Sequence, residues 1–326
     1  MKRFGLIGHP IAHSLSPALF KAGYDGKYPY ELIETADFEE AYSRFLNGYE
    51  GINVTAPFKE LAYSKADILS DECRIIRATN LLVRTPEGIK AYNSDYLGVR
   101  LWLQEVSEGF GKAPTTSSGT ADINRASSDA VALASAKCSK NIEAAMTPFE
   151  HSEKACPSGL SQSDRGFGKV PTTLVVGTGG AGKAAAVAAA SLGMDLILMN
   201  RSIGKAEAVA ESISQMQDAP YAEVRPMEDF RECFRKADII IYNIPAAVPD
   251  LSGLTSEDFG TGKPKFILEA NYKDPSFDNE LIMKMKQSNP QASYTGGKVW
   301  LLYQALTGYE IFTGETPDLT RMTAVI

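Results

Sequence analysis

The chain has 326 residues, 44% hydrophobic and 22% charged, with a formal net charge of -7. That length suits about two domains of roughly 150 residues each, and the composition is that of a globular protein with a sizeable core. The acidic balance argues against a nucleic-acid surface, and no stretch approaches the roughly 20 apolar residues that span a bilayer.

Phe4 to Ile7 reads as a strand, followed by a Gly-Pro turn and a helix opening at Ser16-Pro17, with Ser16 as N-cap and proline at the first helical position. Tyr30 to Ile33 reads as a second strand. Phe38 to Leu46 carries apolar residues at helical spacing, and Gly51 to Thr55 reads as a third strand. Ala78 to Val83 and Gly88 to Tyr92 predict a β-hairpin across Pro86-Glu87-Gly88. From about Glu108 to Lys169 the chain turns to Ser, Thr, Ala and Gly, which predicts a flexible, low-complexity insertion with one weak Ala-rich helix at Ala130 to Met146. Patterning resumes with a strand at Thr172 to Val176, a Gly-rich turn and a helix from Lys183 to Leu192. Strands follow at Asp195 to Met199, Ala237 to Tyr242 and Phe266 to Glu269, of the buried, parallel kind. Helices are expected at Ser202 to Gln217, Asp278 to Gln287 and Val299 to Phe312. Strands alternating with helices predict an α/β fold.

The four cysteines, Cys73, Cys138, Cys156 and Cys233, form no CxxC pair, and the three histidines share no ligand spacing. Both facts point away from a metal site and toward reduced thiols in a cytoplasm. The opening segment MKRFGLIGHPIAHS is broken too early by Gly and Pro to be a signal peptide.

Gly177, Gly179 and Gly182 stand at the GxGxxG spacing, with Gly180 and Ala181 between them. The motif follows a predicted strand and opens a predicted helix, the context in which it binds a dinucleotide. There the first glycine makes the turn, the second admits the pyrophosphate and the third lets helix and strand pack closely. The plainer reading is a βα turn that needs small residues only for packing. The end of the next strand carries Asn200-Arg201-Ser202, with Lys205 a turn later, where NAD-binding chains normally place an acid. Arg201 suits a 2′-phosphate, which a carboxylate would repel, so NADP is the expected cofactor.

In the first hundred residues Ser14, Ser16, Asn53, Thr55, Asn80 and Asp95 are polar residues from separate segments, several at strand ends. Singly, each reads as a cap or turn residue. Together they suit a polyhydroxylated small molecule, because strand ends in open α/β sheets face the ligand crevice. Lys59 and Asp95 are the acid–base candidates among them.

These strings resemble one family, the shikimate dehydrogenases. Gly8-His9-Pro10-Ile11-Ala12-His13-Ser14-Leu15-Ser16-Pro17 is similar to its opening signature, and Asn53-Val54-Thr55-Ala56-Pro57-Phe58-Lys59 to its catalytic-lysine segment. Ala78-Thr79-Asn80, Asn93-Ser94-Asp95, the glycine loop and Asn200-Arg201-Ser202 follow in the family's order. The resemblance covers nearly the whole chain outside the insertion. It implies reversible NADPH-dependent reduction of 3-dehydroshikimate to shikimate in chorismate and aromatic amino acid biosynthesis, with Lys59 and Asp95 as the catalytic pair. It also implies that Ser14 and Ser16 bind the substrate carboxylate and that Asn53, Thr55, Asn80 and Asp95 bind ring hydroxyls. Tyr272 resembles a tyrosine that approaches the carboxylate, and Gln304 a glutamine that contacts a hydroxyl. The implied architecture is an N-terminal α/β substrate domain at 1–107, completed by the C-terminal helix at 297–326. An insertion at 108–169 and a Rossmann-type doubly wound NADP-binding domain at 170–296 follow it. The implied partners are the small-molecule substrate and NADP, with no nucleic acid, membrane or metal, in a cytoplasmic monomer or homodimer. A quinate/shikimate dehydrogenase and a non-catalytic NADP-binding sensor on the same scaffold are the alternatives. Two segments depart from the family pattern, Asn243-Ile244-Pro245-Ala246 and Gly297-Lys298-Val299-Trp300.

Overall fold

Phe4 and Leu6 point to one face of the first strand and Ile7 to the other, and all three are buried, so the strand lies inside a covered sheet. A computed structural model describes residues 1–107, 170–248 and 250–326 of the chain. The expected insertion at 108–169, with its helix at 130–146, lies outside the described residues. The described residues divide into two units, one holding 1–98 and 301–326 and the other 99–107 and 170–300.

The first unit is built on a six-stranded sheet in the order β2-β1-β3-β5-β6-β4. Its strands are β1 (Phe4–Gly8), β2 (Tyr30–Glu34), β3 (Gly51–Val54), β4 (Ile68–Leu69), β5 (Leu81–Thr85) and β6 (Gly88–Tyr92). β2 and β3 run parallel to β1 on its two sides, whereas β5 pairs antiparallel with both β3 and β6. Helix α1 (Ser16–Gly23) contributes Phe20, whose ring lies 5.4 Å from Phe4 on one face of the sheet. On the opposite face α2 (Phe38–Leu46) buries Phe38, Ala41 and Phe45 against Ile7, Ile33, Ile52 and Val54. Its register is set by Asp37, whose carboxylate accepts from the backbone N–H groups of Glu39 and Glu40. Two short helices, α3 (Lys59–Ser64) and α4 (Asp71–Ile76), flank β4. Helix α5 (Ser94–Ser107) begins in this unit directly after β6.

The second unit carries β7 (Thr172–Val176), β8 (Asp195–Met199), β9 (Ala222–Arg225), β10 (Ile239–Tyr242), β11 (Lys265–Glu269) and β12 (Ala292–Thr295). All are parallel, in the order β12-β11-β10-β7-β8-β9, which is the doubly wound arrangement with its switch point between β10 and β7. Helices α6 (Gly180–Ser191), α7 (Ile203–Ser214), α8 (Phe230–Lys236) and α9 (Asn279–Ser288) pack with them. The buried run Ala184 to Ala190 gives α6 a nearly featureless surface for close approach to the sheet. Lys265, buried at the start of β11, donates to the carbonyls of Phe234 and Ala237 and so closes the C-terminal end of α8. Burial pushes its ammonium down to about 8. The buried Asp258 carboxylate accepts from Arg231, Arg235 and Thr255, and these bonds outweigh its burial and hold it below the usual carboxylate range.

The last helices are α10 (Gly297–Thr313) and α11 (Leu319–Thr323). From residue 301 onward they belong to the first unit, where Phe312 stacks on Phe4 with ring centroids 5.1 Å apart. A side chain at Gly51 would run into the Phe312 ring. The division into units therefore falls inside α5, between Gly98 and Val99, and inside α10, between Trp300 and Leu301.

Local expectations are corrected at three places. Ser16 is the first helical residue of α1 and not its cap; Leu15 holds the cap position, and the Ser14 hydroxyl accepts the Ser16 N–H at 3.2 Å. Asp95, grouped in sequence with candidates of which several lie at strand ends, sits instead in the first turn of α5. Asn80 lies just before β5, which starts at Leu81. The α/β architecture with a doubly wound parallel sheet is as expected.

Candidate active site

In the first unit, the segment after β3 delivers the lysine. The Thr55 N–H donates to Ile7 O at 2.9 Å, and the Phe58 N–H returns to Thr55 O at 3.0 Å. That turn sets Lys59 at the first position of α3. Gly8 makes room for it, because a β-carbon there would overlap the Thr55 methyl. The Lys59 ammonium donates to Asp95 Oδ2. The Asp95 side chain is 5% exposed and that of Lys59 21%, so the pair is largely withdrawn from water with one side open.

The start of α5, which carries Asp95, is held by three separate groups. Asn80 Oδ1 accepts from the Ser94 N–H at 2.7 Å and from the Ser94 hydroxyl at 3.3 Å. Asn93 Oδ1 caps the helix by accepting from the Tyr96 N–H, and its amide nitrogen donates to Ala78 O. The Glu72 carboxylate accepts the Asn93 N–H at 3.1 Å and also the Ser70 hydroxyl, while burial pushes it above the usual carboxylate range. Glu72 did not stand among the sequence candidates, and Asn93 stood there only within the Asn93-Ser94-Asp95 string. Gly98, one turn beyond Asp95, lets the backbone of Gln304 in α10 come close, since a β-carbon there would meet Gln304 N at 2.8 Å. Gln304 itself is half-buried.

Ser14 and Ser16 form a second cluster. The Ser14 hydroxyl donates to Ser16 Oγ at 3.1 Å, and the Tyr309 hydroxyl donates to the Ser16 carbonyl at 3.0 Å. Asn53 accepts from the Tyr30 hydroxyl at 2.8 Å. Tyr30 and Tyr309 escaped sequence reading because a tyrosine on a strand or a helix face reads as core.

In the second unit, each glycine of the loop has its own physical reason. Gly177 holds φ at +89°, which disfavours other residues, and its N–H donates to Met199 O at 2.7 Å. A β-carbon on Gly182 would overlap the Gly177 carbonyl. At Gly179 a β-carbon would meet nothing within 4 Å, so that glycine faces open space. Gly180 and Ala181 open α6 beside it. Asn200 Oδ1 accepts from the Thr178 N–H at 3.2 Å, and its amide nitrogen donates to Ser202 O, which ties the loop to the end of β8. Arg201, Ser202 and Lys205 are exposed, and among the described residues the side chains of Arg201 and Lys205 have no acidic partner. Two buried polar atoms beside the loop, Thr178 Oγ1 and Asn243 Oδ1, lack a partner among the described residues. An open glycine, free cations and orphaned polar atoms fit a phosphorylated dinucleotide. Of the two divergent segments, Ile244 packs against Gly177 and Trp300 is buried.

Tyr272 also belongs to the second unit, in the loop after β11, where burial pushes its phenol upward. That loop is pinned by the buried Glu269, which accepts from the N–H groups of Ser276 and Phe277 and from the Tyr294 hydroxyl. Among the described residues no group of three or more His, Cys, Asp or Glu is placed to hold a metal. No described helix is long and apolar enough to cross a membrane.

Comparison with known proteins adds an independent line. Residues 6–82 match the model of the shikimate dehydrogenase substrate binding domain, and residues 162–256 match that of the shikimate / quinate 5-dehydrogenases. The shikimate dehydrogenase (NADP(+)) of Caldanaerobacter subterraneus subsp. tengcongensis is 26% identical, over 97% of this chain and 93% of its own. That of Haloarcula marismortui is 24% identical over 99% and 97%. Among solved structures, quinate dehydrogenase from Corynebacterium glutamicum in complex with NAD superposes with a TM-score of 0.69 at 20% identity, covering 99% of this chain and 98% of that one. Shikimate 5-dehydrogenase from Thermus thermophilus, in complex with NADP(H) and shikimate, gives 0.64 at 22% identity, covering 100% and 98%. With two domain models matched in sequence order and relatives aligned along almost their full length, the chain belongs to the shikimate dehydrogenase family.

Proposed function

We propose that the protein is an NADP-dependent shikimate dehydrogenase, interconverting 3-dehydroshikimate and shikimate in the biosynthesis of chorismate and the aromatic amino acids. The observation that carries this reading is the Lys59–Asp95 pair, withdrawn from water, with Asn80 bonded to Ser94 next to Asp95. A pure binding module has no use for such a pair.

NADPH, when bound, supplies the hydride that reduces the carbonyl. Negative charge then grows on the substrate oxygen, and the Lys59 ammonium stabilises it by position and charge. Asp95 holds that ammonium in place, the Lys59–Asp95 pair supplies the proton that completes the new hydroxyl, and in the reverse direction Asp95 accepts from the substrate hydroxyl. Ser14 and Ser16 take the substrate carboxylate, with Tyr272 approaching it. Asn53, Thr55, Asn80 and Gln304 take ring hydroxyls. Gly177, Gly179, Gly180, Ala181 and Gly182 seat the pyrophosphate, and Asn200, Arg201, Ser202 and Lys205 hold the adenosine 2′-phosphate. In this reading residues 1–107 with the helix at 297–326 serve the substrate, and 170–296 serve NADP. The enzyme works in the cytoplasm as a monomer or homodimer.

Steady-state assays with shikimate and quinate, each with NADP and NAD, test the assignment. The expected result is the highest kcat/KM for shikimate with NADP. Equal or greater turnover of quinate would make it a quinate/shikimate dehydrogenase. NADP binding with no turnover of either would make it a sensor.

A further inference from the structure

We infer that Tyr30 is a positioning residue for the substrate, acting by fixing which end of the Asn53 side chain faces it; this rests on the assignment of Asn53 to substrate binding. Tyr30 opens β2 opposite Phe4, and Asn53 lies on β3 opposite Leu6. Phe4 and Leu6 share a face of β1, so the tyrosine reaches across the central strand on that face. Its ring is seated by Phe20, 4.7 Å away, and by Tyr309, 6.0 Å away. The hydroxyl therefore has little freedom, and it donates to Asn53 Oδ1 at 2.8 Å.

The other end of the amide is fixed by the same logic. Asn53 Nδ2 lies 3.4 Å from the Asn80 carbonyl, a group that only accepts, so the nitrogen belongs on that side. With Oδ1 engaged by Tyr30, Asn53 has an amide N–H left for a ligand and meets a substrate oxygen as a donor. Burial holds the Tyr30 phenol protonated, well above its usual range. No other described side chain is seen to bond to Asn53 Oδ1.

The test is a double-mutant cycle on the full-length enzyme with shikimate and NADP. Tyr30→Phe keeps the ring contacts and removes only the hydroxyl. It should raise the KM for shikimate about three- to tenfold, the worth of one neutral hydrogen bond, with kcat and the KM for NADP within about twofold. In an Asn53→Ala background the same change should move the KM less than about twofold, because its route is gone. Equal effects in both backgrounds, or none in the first, would overturn the proposal. Asn53→Asp serves should Tyr30→Phe fold poorly: it keeps an acceptor for Tyr30 and replaces the N–H donor with an oxygen. It should lose shikimate affinity as severely as Asn53→Ala. Near-normal affinity would show that Asn53 presents its carbonyl to the substrate and that the inference is wrong. Wild-type enzyme inactive on shikimate and quinate would instead overturn the functional reading, and the proposal with it.

Discussion

Lys59 and Asp95 meet although they stand at the starts of two different helices, 36 residues apart in the chain, and each is fixed by its own set of backbone contacts. The turn from Thr55 to Phe58 fixes the one, and the clasp of Asn80, Asn93 and Glu72 fixes the other. Lys59→Met keeps much of the apolar stem and removes only the charge. It should lower kcat by about 10²–10⁴, the usual value of a positioned acid or base. Calorimetric shikimate affinity should change far less, since the stabilised charge exists only in the transition state. A variant with near-normal kcat would dismiss the pair from the chemistry.

The glycine loop allows stability and cofactor binding to be separated. Gly182→Ala forces a methyl against the Gly177 carbonyl and should destabilise the fold by about 1–3 kcal/mol or more. Gly179→Ala meets open space and should leave the melting temperature nearly unchanged while weakening NADP binding. Thermal melts with and without NADP distinguish the two. Equal loss of stability in both variants would mean that the open face of Gly179 is filled by protein.

Cofactor choice should rest on Arg201 with help from Lys205. Loss of one charge-assisted phosphate contact costs on the order of 1.5–3 kcal/mol, roughly ten- to a hundredfold. Arg201→Ala should raise the KM for NADP by that factor and leave the KM for NAD nearly unchanged. Parallel weakening of both would remove the 2′-phosphate assignment.

Lys265 predicts a pH dependence of stability. Its ammonium is lowered to about 8 in the folded protein, against an ordinary value of 10.5. Between those values the unfolded chain binds more protons than the native one, so this lysine makes stability rise with pH across the window. Its slope is at most about 1.4 kcal/mol per pH unit. Urea titrations from about pH 7.5 to 10, the range those values bracket, should show a flatter or more steeply falling curve for Lys265→Met than for the wild type. Superimposable pH profiles would contradict the assignment.

Elements with strong periodicity were legible in the sequence: α2 and β8 span the residues that the pattern predicts. The doubly wound sheet followed from buried apolar runs separated by helices. β4, β9 and β12 were not legible, because two to four mostly half-buried residues offer no alternation to read. Ser16 misled because a serine before proline has the composition of a cap, whereas here the preceding Leu15 already has helical backbone angles. The backbone geometry of the three loop glycines could be anticipated because it rests on the turn alone. The clasp around Asp95 could not, since Glu72 comes from an element with no special signature, and burial and hydrogen bonding at a distance in sequence give it its importance.

The first unit is assembled from both ends of the chain. Phe4 has no stacking partner at Phe312 until the intervening second unit has been synthesised. On the ribosome, therefore, the sheet face that α1 begins to cover must wait for the rest of its cover, while every described strand of the doubly wound sheet has already been synthesised. A chain stalled or clipped before residue 301 would keep its dinucleotide loop yet lack the Phe312 ring that packs on Phe4 and over Gly51.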